Sequence, residues 1–322
     1  MQATQGPFLD VKYRPGKNAR GQDGRRFVCG SLGTQSLSSV TRDFLHQSAH
    51  GDATECVPLS DLDFVNCFPT ILLSLLQAAG IPCQALHDYV GWRFDHLALV
   101  SQQQVERYGA HWAVPEELAK MSFIFILHGG GDYRKLPGLH AGGIPVLTQF
   151  QEEVRIASRH LFQRPEVKAL ASLCEDAGNP VGSFIAAVCQ RIEHAALSIV
   201  ISECALCHVT MRTNMFDGGL VSGFASLTKD AQAALISRCE DRIKAELHIP
   251  LRLLEKPISD VSAEQLHQAS RKLVLNDEFE TFTPAFSQSA VHAITRRYVG
   301  YSLLCDDQVV TSHAERSARW RS

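Results

Sequence analysis

The chain has 322 residues, of which 45% are hydrophobic and 20% charged, with a formal net charge of -3. That length can bury a large core, as one bilobed unit or two domains, and the balance is globular, which excludes a disordered or low-complexity chain. The near-neutral charge excludes nucleic-acid binding through global charge, so any such binding rests on local basic patches.

Those patches lie at the two ends. Lys12, Arg14, Lys17, Arg20, Arg25 and Arg26 crowd one Gly-rich stretch with only Asp23 among them, and Arg296, Arg297, Arg316, Arg319 and Arg321 mark the other. Such stretches neutralise phosphates, or serve simply as solvated termini. No apolar run reaches the roughly 18 residues of a spanning helix, so no membrane partner is expected. Met1 to Asp10 lacks the apolar core of a secretory signal. Ten scattered cysteines read as reduced thiols, and an intracellular protein is the expectation.

In chain order, the first ~25 residues are Gly-, Pro- and Arg-rich and read as extended or loosely ordered. A strand is predicted over 26–31 and a helix over 36–47. Asp61 and Asp63 then close an apolar segment, and Pro69 opens a helix to Ala79 that Gly80 ends. One helix is predicted over 85–99. Pro115-Glu-Glu starts another, because proline and acids suit a first turn, and it runs to the Gly129-Gly-Gly break. Helices follow over 148–161 and 165–175, and the longest over 181–210. Asn214 to Val221 reads as a hairpin around Gly218-Gly219. A capped helix over 228–247 and a strand over 249–254 come next, with helices over 263–274 and 287–299. No internal repeat is present.

The chemistry concentrates in Asp61-Leu-Asp-Phe-Val-Asn-Cys-Phe-Pro-Thr-Ile-Leu72. Two carboxylates at a strand end can hold a divalent cation, and i, i+2 spacing puts Asp61 and Asp63 on one strand face. Two-metal catalysis needs carboxylates from separate strands that clamp attacking and leaving oxygens. Asp217, at the tip of the predicted hairpin, is the second candidate. An Asp-Gly pair is also simply a turn signal.

Asp63, Phe64, Phe68, Pro69, Thr70, Ile71 and Leu72 resemble the first catalytic motif of family B DNA polymerases. Met215-Phe-Asp-Gly-Gly-Leu-Val221 resembles the third motif, with Gly218 and Gly219 where most polymerases carry a second acid. Lys120, with His128-Gly129 eight and nine residues on, resembles the family A fingers helix, in which Tyr-Gly takes those two positions. The family's arginine four residues before that lysine is Glu116 here. Leu253-Leu-Glu-Lys256 resembles the family B strand whose lysine contacts the primer backbone. The mixture is that of divergent polymerases of mobile elements and large DNA viruses.

The resemblance implies an α+β, polymerase-like right hand with a small antiparallel palm sheet, a helical fingers insertion and a reduced thumb. Its parts would be a basic segment 1–54, palm 55–112 and 196–258, fingers 113–195 and a thumb-like segment 259–322. It implies template-directed DNA synthesis with Mg²⁺ or Mn²⁺ held by Asp63 and Asp217, Asp61 being auxiliary. Lys120, His128 and Phe68 would bind the nucleoside triphosphate, Phe68 abutting the sugar. Gln190, Glu193 and Lys256 would meet the template–primer, and replication or assembly proteins would be partners. Gln190 and Glu193, one helical turn apart, read equally as a solvent-facing pair. The alternative is a polymerase-derived nucleic-acid-binding or assembly protein without catalysis.

Other signals compete. Cys204-Ala-Leu-Cys207-His208 matches a c-type haem attachment pattern and offers three zinc ligands, but it falls in a predicted helix, where buried thiols are the default. No Gly-Lys-Ser/Thr follows Gly129-Gly-Gly131 or Gly142-Gly143 to make a phosphate loop.

Overall fold

A computed structural model of the protein describes residues 13–17, 23–28, 59–175 and 177–256. The helices expected over 36–47, 263–274 and 287–299, the segment 259–322 and its arginines lie outside the described residues, as does most of 1–54.

Two strands, β1 (Tyr13–Lys17) and β2 (Asp23–Val28), come first. They pair antiparallel, with Tyr13 opposite Val28 and Lys17 opposite Asp23. The described parts of the basic stretch are therefore paired strands, and β2 begins at Asp23, not Arg26. The remaining elements are β3 (Leu59–Val65), α1 (Cys67–Ala78), α2 (Gln84–Gly91), α3 (Arg93–Tyr108), α4 (Glu116–Leu127) and α5 (Pro145–Phe162). After them come α6 (Lys168–Ser172), α7 (Pro180–Leu206), β4 (Thr210–Met215), β5 (Gly218–Ser222), α8 (Lys229–Leu247) and β6 (Arg252–Lys256). The class is α+β, with a small four-stranded sheet in the order β4-β5-β3-β6. The β3/β5 and β4/β5 pairs are antiparallel.

The described chain divides into two compact units. Of the described residues, one unit holds those up to 63, 200–237 and 254–256, and the other those in 64–199 and 238–253. In the first unit β3 alternates strictly. Ser60 and Leu62 are buried while Asp61 and Asp63 lie on the half-exposed face, as period-2 geometry requires. All five residues of β5 are buried. Thr228 caps α8, its Oγ1 accepting the Ala231 N–H at 3.2 Å, which accounts for the predicted helix start.

The second unit is helical. Its centre is a buried aromatic cluster in which Tyr89 stacks on Phe123 at 4.4 Å and Phe150 meets Phe123 edge-on at 4.8 Å. These rings bind α2, α4 and α5 together, each pair contributing about 0.5–1.5 kcal/mol beyond area burial. The loops are fastened by buried polar groups. The Gln104 amide donates to the carbonyls of Trp112 (2.9 Å) and Gly138 (3.1 Å) and accepts from the His140 N–H (3.0 Å). The Glu153 carboxylate accepts the Ala85 N–H at 2.8 Å, placing an acid at the positive end of α2.

Several predicted boundaries shift. The single helix over 85–99 is two, because Trp92 leaves helical geometry (φ -131°, ψ 45°) and becomes the N-cap of α3. The 165–175 helix shrinks to a 3₁₀ turn at Pro165–Val167 followed by the five-residue α6. The longest helix ends at Leu206 and gives way to β4 at Thr210. The strand after α8 begins at Arg252, not Ile249.

Candidate functional site

The β3–β5 register builds the site. Asp63 pairs with Gly218 and Asp61 with Leu220, so Asp217 immediately precedes the partner of Asp63 at the same end of the ladder. β4 and β5 close on the pair Met215 and Gly218, leaving Phe216 and Asp217 as a two-residue turn. The turn thus sits two positions earlier than the Gly218-Gly219 reading predicts. Both glycines belong to β5, and the reason is steric. A Cβ on Gly218 would strike the Leu62 carbonyl oxygen and come within 2.7 Å of Asp63 Oδ1 and 2.8 Å of its Cα. A Cβ on Gly219 would strike Met211 Sδ and the Thr213 carbonyl. The second acid of the resembled motif has no room at either position.

Phe216 carries the strain that a glycine would have avoided. Its φ of 54° is left-handed, a region that bulky side chains rarely enter and that two-residue hairpin turns give to glycine, asparagine or aspartate. Such strain gathers at functional sites. Here it sits beside Asp217.

Lys256, at the end of β6, forms an ion pair with Asp63 Oδ2. The aspartate side chain is only 13% exposed and the lysine 56%. The carboxylate at the end of β3 therefore already holds a cation, the Lys256 ammonium. That donor chemistry fits Mg²⁺ or Mn²⁺, which take one or two carboxylates and complete their shell with water and substrate phosphates. Asp63 and Asp217 would hold the ion, with Asp61 on the same face of β3. Among the described residues, no group of three or more His, Cys, Asp or Glu side chains is gathered into a metal site.

The second unit brings two other candidates into contact. Phe68, on the first turn of α1 and 8% exposed, lies under the His128 ring, with centroids 4.2 Å apart. His128 is the C-cap of α4. Gly129 (φ 69°) continues into a terminating turn in which the Gly130 N–H donates to the Phe125 carbonyl at 2.8 Å, a 6→1 bond that ends the helix there. Lys120 and His128, both half-buried, are two helical turns apart and so share a face of α4, with the exposed Ile124 between them. Gln190 and Glu193 share α7, but Glu193 is only 1% exposed, so they do not form a solvent-facing pair.

Sequence reasoning passed over Arg93. The break at Trp92 starts α3 at this arginine, whose Nη1 donates to Asn66 Oδ1 at 2.6 Å. Asn66 (φ 49°) is the N-cap of α1, and its side chain makes no cap bond to that helix. The Tyr89 hydroxyl is pushed above its ordinary pKa chiefly by burial, the charge of the nearby Arg93 guanidinium pulling the other way. The only sequence signal of Arg93 is an arginine beside an exposed tryptophan, which by itself reads as surface.

The Cys204-x-x-Cys207-His208 pattern is a helix end. Cys204 is fully buried, and burial, with Cys207 and Glu203 nearby, pushes its thiol up to about 12. The Val209 N–H returns to the Cys204 carbonyl at 2.9 Å, and His208 takes the left-handed position (φ 58°) that stops α7. No disulfide joins any two of the seven described cysteines. By length and composition α7 is also the one described helix apolar enough to cross a membrane, a test that the core helix of a soluble protein passes equally. No protein-family model matches the chain, and no curated protein is significantly similar to it.

Proposed function

We propose that the chain catalyses template-directed nucleotidyl transfer, most simply DNA synthesis, on a polymerase-like right hand whose palm is the four-stranded sheet. The observation that carries this reading is the β3–β5 register. It sets Asp63 and the hairpin residue Asp217 at one end of adjacent strands, with Lys256 on the Asp63 carboxylate. Carboxylates from separate strands are what two-metal phosphoryl transfer requires. When bound, Mg²⁺ or Mn²⁺ would supply charge stabilisation at the attacking and leaving oxygens.

The protein's own residues do the rest. Asp63 and Asp217 would hold the ions. Lys256, released from Asp63, offers its ammonium to a phosphate of the primer strand, while Lys120 neutralises the triphosphate. Phe68, backed by the His128 ring, bounds the sugar pocket and disfavours a 2′-hydroxyl. Template–primer and nucleoside triphosphates are the partners, inside the cell.

One observation favours the second reading, a polymerase-derived nucleic-acid-binding protein without catalysis: the hairpin has no room for a second acid at Gly218 or Gly219. Primer extension separates the two. A labelled primer–template with Mg²⁺ or Mn²⁺ and each nucleotide set should be extended by the wild-type chain and not by Asp217→Asn. Binding of the same duplex that is tight, salt-dependent and metal-independent, with no extension under any condition, would give the site to binding alone.

A further inference from the structure

We propose that the solvent face of α5 is a docking surface for the phosphate backbone of a DNA duplex, with Arg155 and Arg159 as its phosphate contacts. The inference rests on the nucleotidyl-transfer reading for the choice of DNA, and it uses none of the motifs behind that reading.

The argument begins with how α5 divides. Leu147, Phe150, Val154, Ala157 and Leu161 are buried, so the apolar stripe of the helix faces the core of the second unit. Arg155 and Arg159 are exposed. They stand one turn apart, which puts them on one face with about 6 Å between them along the axis. Positive charge continues past the helix end through the exposed Arg164 and Lys168. Over 155–168 these four cations meet one acid, Glu166, a net +3 in a chain whose net charge is -3.

Pairing within the molecule does not account for them. The Glu153 carboxylate is taken by the Ala85 N–H at 2.8 Å and the Gln149 amide at 2.9 Å. Neither Arg155 nor Arg159 is in an ion pair among the described residues, Glu152 included. Arg164 meets Glu166 only at 3.6 Å, with both side chains well exposed, a contact of little strength. Arg159 stands in the last turn of α5, where the helix dipole favours a cation. Arg155, two turns from the end, gains nothing from that.

The unpaired guanidinium groups point to the chemistry of the ligand. Each presents a planar fork of donors matched to phosphate oxygens, and a backbone offers phosphates in succession as α5 offers arginines. A membrane-surface helix would turn its apolar face outward, and here that face is buried. A single strand would need exposed rings on which bases stack, whereas the side chain exposed between the two arginines is the aliphatic Ile156. A duplex backbone fits all three observations.

The test titrates the full-length chain onto a labelled blunt DNA duplex by fluorescence anisotropy over a range of salt, without metal or nucleotide. Each phosphate contact contributes about 0.9 to the slope of log affinity against log salt. Arg155→Gln/Arg159→Gln should therefore make the slope shallower by about 2 and weaken binding at least tenfold at about 0.1 M salt. It should melt within a few degrees of wild type. A control with the same change in net charge at two other exposed positions, Arg107→Gln/Lys135→Gln, should leave the slope unchanged. If the double variant does not fold, Arg155→Gln alone should make the slope shallower by about 1. An unchanged slope in the folded variant, or an equal change in the control, would overturn the proposal. So would a loss seen with a single strand, an RNA duplex, polyglutamate or phosphatidylserine vesicles and not with the DNA duplex. A wild-type chain that binds the duplex through Arg155 and Arg159 but never extends a primer would refute the nucleotidyl-transfer reading and leave this one standing. Primer extension with an unchanged slope in the variant would do the reverse.

Discussion

Lys256 reaches across 193 residues of chain to the carboxylate of Asp63, joining the last described strand to the first strand of the four-stranded sheet. The pair is asymmetric, with the acid mostly covered and the lysine mostly in water. An ammonium in that state contributes little to stability, at most about 1 kcal/mol. Its significance is competition, because a lysine and a divalent cation cannot both own the same oxygen of Asp63. Lys256→Met should therefore melt close to wild type and bind Mn²⁺ several-fold more tightly in electron-paramagnetic titrations without substrate. It should extend primers about 10–100-fold more slowly, each tenfold being about 1.4 kcal/mol of lost transition-state stabilisation. Weaker Mn²⁺ binding would contradict the competition.

Asp63→Asn separates catalysis from folding at the same contact. The amide keeps the shape and loses the charge that both Lys256 and a metal need. Extension should fall by three orders of magnitude or more, while the circular-dichroism spectrum stays that of the wild type. Extension at wild-type rates would remove Asp63 from the chemistry.

Gly218 faces Asp63 with no space for a side chain. Gly218→Ala should destabilise the sheet by about 1–3 kcal/mol, the usual cost of overpacking a close contact, read as a lowered denaturant midpoint. Gly218→Asp, which restores the acid that the resembled motif carries, should be at least as destabilised and gain no extension activity. An active, stable Gly218→Asp would mean that the hairpin can move away from β3.

Much of this arrangement was legible in the residues. Capping and breaking signals located α4 between Pro115 and Gly129, and Thr228 marked the start of α8, because those effects act within one helical turn. The hairpin was visible too, but its turn was misplaced at Gly218-Gly219. Local preference gives φ > 0 to glycine, whereas here the close approach of Asp63 needs the glycine in the strand and forces the left-handed turn onto Phe216. The break at Trp92 carried no proline, and the helical periodicity of 85–99 runs through it. Contacts such as Phe68 on His128 or Arg93 on Asn66 depend on how helices pack, which sequence spacing does not encode.

The Phe68–His128 contact predicts a division of labour. Phe68 is buried, so Phe68→Ala would cost about 3–5 kcal/mol in packing. Phe68→Leu keeps most of the volume and would open the proposed sugar pocket. It should raise ribonucleotide incorporation relative to deoxynucleotide at least tenfold in single-nucleotide extension. His128→Ala should instead raise KM for the nucleotide with kcat little changed, the signature of lost uniform binding. A fall in kcat alone for His128→Ala would place the ring in the chemical step.

Cys204 supplies a test that does not depend on activity. Its thiol is held up to about 12, against an ordinary 9.0, chiefly by burial. The folded state therefore favours the protonated form, and the sign follows from proton linkage. Below about 9 the thiol is protonated in both states and its contribution is fully present. As pH rises from 9 toward 12 the unfolded chain ionises first, binds fewer protons than the folded one, and stability is lost. Wild type should thus lose stability over that window more steeply than Cys204→Ala, measured as denaturant midpoints at stepped pH. At pH 8, iodoacetamide should label the part-exposed Cys207 well before Cys204, and Cys204 only on unfolding. Rapid labelling of native Cys204, or a bound haem or zinc signal, would revive the haem or zinc reading of the Cys-x-x-Cys-His segment.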